Sequence, residues 1–152
     1  MDVSRRDALT FLGGAAAAGV VGSVDLPLPR PRLTINAMNF ASDAHRLDVE
    51  CYRTDVAERS EAFVYSREFD LDAPEEGESA TVVRAENSLT SRKYLVRADV
   101  LTARGADGTF VFHPDCTGGD EPPEELYVEV RETPELHVSF QQNSCGRNAW
   151  QY

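Results

Sequence analysis

Three cysteines and three histidines are the residues of this 152-residue chain best suited to ligate a metal or to react: Cys51, Cys116, Cys145, His45, His113 and His137. A copper electron-transfer site takes two imidazoles, one thiolate and a weak axial thioether. The nearest grouping is His113-Pro114-Asp115-Cys116, but the next histidine after Cys116 is His137, 21 residues on, and the methionines are Met1 and Met38. Zinc takes four close ligands, commonly from paired CxxC or HxxxH spacings, and the chain has neither. His113 and Cys116 are therefore the candidate metal ligands, with a strand-end turn explaining the same spacing, and no metal or cofactor is expected. His45 and His137 read as surface strand positions; His137 alternates with Leu136 and Val138 and should face water.

The cysteines have a second chemistry. Three thiols allow three pairings. Cys51 is in phase with Leu47 and Val49, which points it into a core as a buried free thiol. Cys116 and Cys145 both fall just past strand ends in polar connectors, where neighbouring strands can bring two Cα atoms within about 4–7 Å. The expected disulfide is Cys116–Cys145.

The acidic clusters Asp70–Glu78 and Asp115–Glu125 could supply paired carboxylates for acid–base work or oxygen ligands for calcium. Neither has the spacing of a calcium loop. Glu75-Glu76 and Glu124-Glu125 lie beside prolines, so solvated loops are the expectation. The chain holds no GxSxG, no HExxH and no phosphate-cradling glycine loop. No enzyme is expected; a small hydrolase assembled from distant residues stays as an alternative, because triad members need not be neighbours in sequence.

Strands must position these groups. Apolar residues recur with period two at Leu33, Ile35, Ala37; at Leu47, Val49, Cys51; at Phe63, Tyr65, Phe69, Leu71; at Tyr94, Val96, Ala98, Val100; and at Leu126, Val128, Val130. A short strand is expected at 79–85 around Val82 and Val83. Gly105-Ala106-Asp107-Gly108 reads as a turn leading to Phe110 and Phe112, and Thr133-Pro134-Glu135 as one leading to Leu136, Val138 and Phe140. The expected fold is all-β: an antiparallel Ig-like sandwich of about 7–8 strands over residues 32–145. A proline-alternating linker, 24–31, precedes it, and a tail, 146–152, with the chain's one Trp, follows.

Ahead of the linker, residues 1–23 form a signal segment, expected as a helix. Arg5 and Arg6 precede a run from Ala8 to Val24 that is 17 residues long and rich in Gly and Ala. A membrane-spanning helix wants about 20 strongly apolar residues. A charged start, a short apolar centre and small residues near a cut, after Ala18 or Ser23, describe an export signal instead. No Cys precedes Cys51, so no lipid anchor is expected. Membrane contact would be transient and through the signal.

The charges bound the partners. Fifteen basic residues stand against 26 acidic ones, a net −11, and fourteen of the fifteen are Arg. Such a surface repels nucleic acid, whose binding needs clustered Lys and Arg.

Ser4-Arg5-Arg6-Asp7-Ala8-Leu9 resembles the twin-arginine signal, departing at Ala8, where that pattern prefers Phe. With the strand Arg46–Arg53 and the Asp55–Glu61 turn after it, the DAPEEGES turn at 72–79, a late Cys pair and the acidic, lysine-poor composition, the chain resembles small twin-arginine-secreted immunoglobulin-like proteins of halophilic archaea. The resemblance implies a fold and an exported location, and no reaction. The functional expectation is an exported, non-enzymatic binding or structural module at the cell surface or outside the cell, its partner an envelope or extracellular protein or glycan. An exported metal-binding, cupredoxin-like sandwich is the alternative beside the hydrolase.

Overall fold

Strict alternation of apolar and polar residues makes a strand with one face for a core and one for water. The computed structural model, which describes residues 31–116 and 122–145, contains eight such strands. In chain order they are β1 (Arg32–Asn39), β2 (His45–Arg53), β3 (Phe63–Leu71), β4 (Thr81–Thr90), β5 (Tyr94–Val100), β6 (Asp107–Phe112), β7 (Glu124–Glu132) and β8 (Leu136–Gln142), with one helical turn, α1 (Arg59–Ala62), before β3. They form two four-stranded sheets in the orders β4-β1-β7-β8 and β3-β2-β5-β6. Residues 1–30, where a signal segment and a linker are expected, and the tail 146–152 lie outside the described residues.

The sheets face each other as a β-sandwich. Leu33, Ile35 and Ala37 of β1 with Leu126, Val128 and Val130 of β7 make one wall of the core. Leu47, Val49 and Cys51 of β2 with Val96, Ala98 and Val100 of β5 make the other. At one open side the edges β6 and β8 close on each other: Phe110 and Phe140 stack at 5.5 Å with ring planes 7° apart. Gly108 permits that approach, because a Cβ there would lie 2.8 Å from the Phe140 ring.

Several local features depart from the sequence expectations. All neighbouring pairs are antiparallel except β1 with β7, which run parallel. The strand expected at 79–85 extends to Thr90. Its alternation breaks because the register slips: Leu33 pairs with Leu89 but Ile35 with Ala85. Asn87 occupies that bulge at φ 49°, a backbone region Asn tolerates, and its carbonyl accepts from the Arg32 guanidinium at 2.6 Å. The turn expected at 105–108 is displaced, since β6 already begins at Asp107; the positive φ falls on Gly105 alone, at 78°. Phe63 does not share the inward face of Tyr65, Phe69 and Leu71. A second register slip, with Cys51 opposite Tyr65 but Tyr52 opposite Phe63, turns Phe63 outward.

Candidate interaction face

The outer face of the β3-β2-β5-β6 sheet is built by the residues that alternate with the core positions. Register aligns them in rows across the four strands. Glu68, Asp48, Asp99 and Asp107 stand directly opposite one another in one row. The next row is Ser66, Glu50, Arg97 and Thr109, and the row beyond it is Phe63, Tyr52, Leu95 and Val111. The face thus runs from carboxylates through a mixed row to an apolar one, with four residues, about 13 Å of strand, separating the extremes.

Each row has a distinct energetic character. Facing like charges in a sheet destabilise it by a few tenths to about 1 kcal/mol per pair. Arg46 lies 3.9 Å from Glu68 and 3.0 Å from Asp70, while Asp48, Asp99 and Asp107 stand in no ion pair among the described residues. The Asp48 carboxyl is held above its ordinary range, first by burial, then by the charge of Glu50, with Glu68 and Asp99 adding to it; a hydrogen bond from Ser66 opposes the rise. A depression of about 530 Å³ opens here, lined in part by Asp48, Glu50, Arg97, Asp99 and Asp107. The apolar row is exposed: Phe63 is 48%, Val111 41% and Leu95 36% accessible. Tyr52 packs its ring 5.5 Å from Phe63 and donates its hydroxyl to Glu50 at 2.6 Å, which raises the phenol's pKa above its ordinary value.

The candidate ligands are placed differently. Cys116 and Cys145 lie at disulfide distance, with sulfurs 1.91 Å and Cα atoms 5.0 Å apart. Cys51 is a free, buried thiol whose pKa burial pushes up to about 12. The bridge ties the connector after β6 to the one after β8. Asp115 supports it, accepting from the Ser144 hydroxyl at 2.7 Å and the Cys145 backbone N–H at 3.3 Å. Asp115, Cys116 and Cys145 form one close set of potential ligands, and none of the three histidines belongs to it. A sulfur in a disulfide is not a thiolate ligand, so that set offers one carboxylate. His113 is exposed, its backbone N–H and carbonyl both bonded to the Gln142 amide, at 3.2 Å and 2.7 Å. His45 Nδ1 lies 2.9 Å from the Thr102 hydroxyl. His137 is only partly exposed, donating Nδ1–H to the Glu135 carbonyl at 2.8 Å.

The carboxylate clusters divide. Glu75 and Glu76 are exposed in a loop, as expected. Glu124 and Glu125 are not loop residues; they open β7. Glu124 shares the inward side with Leu126, is fully buried, and accepts the Cys116 backbone N–H at 2.6 Å. Glu125 turns outward to Arg84, at 2.5 Å, and accepts the Tyr127 hydroxyl. Both carboxylates are thus bound into the fold. The rows of the outer face escaped sequence reasoning because alternation shows which residues face out but not which ones align.

Among the described residues no helix is long and apolar enough to cross a membrane. No family model and no curated protein matches the chain. Among solved structures, it is similar to a candidate cell adhesion protein from Bacteroides ovatus, at 11% identity and a TM-score of 0.36. The match covers 75% of this chain and 44% of that one, so the chain spans less than half its length.

Proposed function

We propose that the chain is an exported, non-enzymatic module that acts by surface contact at the cell envelope or outside the cell, with the outer face of the β3-β2-β5-β6 sheet as its contact surface. The observation that carries this reading is the exposed apolar row Phe63, Tyr52, Leu95 and Val111 on a face that both neighbouring strand registers build. Exposed apolar area grouped and bordered by polar residues marks contact surfaces. The bridge at Cys116 and Cys145 supports an oxidising location, where disulfides persist. Export through the twin-arginine-like Arg5 and Arg6, and kinship with halophilic immunoglobulin-like proteins, belong to the same proposal. An acidic surface suits molar salt, which screens like charges beyond about 3 Å. Disulfide-bonded Cys116 weakens the cupredoxin-like alternative, and the structural roles of Glu124 and Glu125 weaken the hydrolase.

The test is the binding of purified protein to isolated envelopes of its own cells. Leu95→Asp places a charge in the middle of the apolar row at a position already exposed, so it spares the core. It should reduce binding about tenfold, as loss of a central contact does, while the protein still unfolds in one cooperative transition at a slightly lower temperature. Equal binding of the two proteins would reject this face.

A further inference from the structure

The apolar row and the carboxylate row run parallel across the same four strands, with the row Ser66, Glu50, Arg97 and Thr109 between them. We infer that this face receives a polypeptide segment carrying an apolar stripe flanked by Lys or Arg, an amphipathic basic helix being the form that fits. The inference rests on the contact face proposed above and names the chemistry of its partner.

Two features of the face, independent in origin, converge on that partner. The first is apolar: Phe63, Leu95 and Val111 remain accessible around the Tyr52 ring, and a second depression of about 450 Å³ is lined there by Tyr52, Ala62 and Leu95, with Thr54, Arg53 and Arg97 beside them, Arg53 being paired with Asp55. The second is electrostatic. Asp48, Asp99 and Asp107 lack ion-pair partners among the described residues, although register sets them opposite one another. A helix laid along the apolar row has a radius of about 5 Å with its side chains, which carries a long Lys or Arg on its flank over the mixed row and nearer to the carboxylates about 13 Å from the apolar row. Apolar burial would supply affinity, and charge complementarity would supply orientation and partner choice. Arg97, in the intervening row, is itself a cation and repels a basic flank, so the Lys or Arg side chains must pass to either side of it to meet Asp48 and Asp99. A second copy of the chain fits less well, because its own net charge of −11 opposes approach to an acidic face.

The experiment titrates the full chain with a synthetic amphipathic helix of about 18 residues built from Leu and Lys, and with its Leu and Glu counterpart, followed by calorimetry at about 0.15 M salt. The basic peptide should bind and the acidic one should not. Asp48→Asn with Asp99→Asn should weaken binding about fivefold and flatten its salt dependence. Glu75→Gln with Glu76→Gln removes the same charge from an exposed loop and should leave affinity unchanged, which separates the face from net charge. Leu95→Asp should abolish most of the binding. Equal effects of the two charge-matched pairs, binding of the acidic peptide, or indifference to Leu95→Asp would each overturn the inference. So would sedimentation showing that the chain pairs with itself through this face. Envelope binding that is lost in Leu95→Asp while the basic peptide fails to bind would overturn the partner chemistry and leave the contact face standing.

Discussion

At the scale of single residues, the cysteines divide cleanly by environment. Cys51 sits in the core between sheets with its thiol pKa pushed up to about 12 by burial, so almost no thiolate forms near neutral pH. Cys116 and Cys145 close a loop of 29 residues. In the chain-entropy model such a loop stabilises by about 3–4 kcal/mol. The Cys116→Ala, Cys145→Ala protein should lose about that much in urea unfolding, and alkylation of the native wild-type protein at about pH 8 should label no cysteine until denaturant is added. Labelling of Cys116 or Cys145 in the native, non-reduced protein would contradict the bridge. Phase with Leu47 and Val49 made the burial of Cys51 legible in sequence, and position past strand ends made the pairing legible. The burial of Glu124 was not legible. Its flanking prolines and acidic neighbour read as loop, whereas its role depends on where β7 begins and on the Cys116 N–H it meets across space.

At the scale of elements, the eight strands follow from period-two alternation, and the places where alternation misleads are the two bulges. Alternation carries no information about a residue inserted against a partner strand, so the length of β4 and the outward turn of Phe63 emerge only from pairing. The same limit hid the carboxylate row, which exists because Asp48 is opposite Glu68 on one side and Asp99 on the other. The row has a pH signature. Asp48's folded pKa is raised above its unfolded value, chiefly by burial and by Glu50, so the folded state holds its proton to higher pH than the unfolded state does. The group therefore opposes folding at pH values above its folded pKa and is without effect below its unfolded pKa near 3.9. Asp48→Asn should stabilise the sandwich at pH 7, by a few tenths to about 1 kcal/mol, and the gain should fade as pH falls toward about 4. Thermal melts of both proteins across that range check it; a gain that persists unchanged at the acid end would mean that charge at Asp48 is not its source.

At the scale of the whole molecule, the sandwich, its bridge and its acidic face belong together in one proposal: a small module that leaves the cell and works by contact. The acidic excess belongs to residues 24–152, since Asp2 and Asp7 offset Arg5 and Arg6. Added salt screens that repulsion, so stability and envelope contact through the apolar row should both hold at high ionic strength. Alternation made the sandwich class legible in sequence, and the arginine pair supplies the export part of the proposal; the contact face needed the register of four strands, which no local pattern encodes. The most direct measurement of the central claim is mass spectrometry of the chain recovered from producing cells, with and without Arg5→Lys and Arg6→Lys. The expected result is wild-type protein in the envelope or medium, beginning after Ala18 or Ser23 and carrying the Cys116–Cys145 bridge, with the doubly substituted protein retained inside. Wild-type protein found inside the cell, beginning at residue 1 or 2 with Cys116 and Cys145 as thiols, would contradict it.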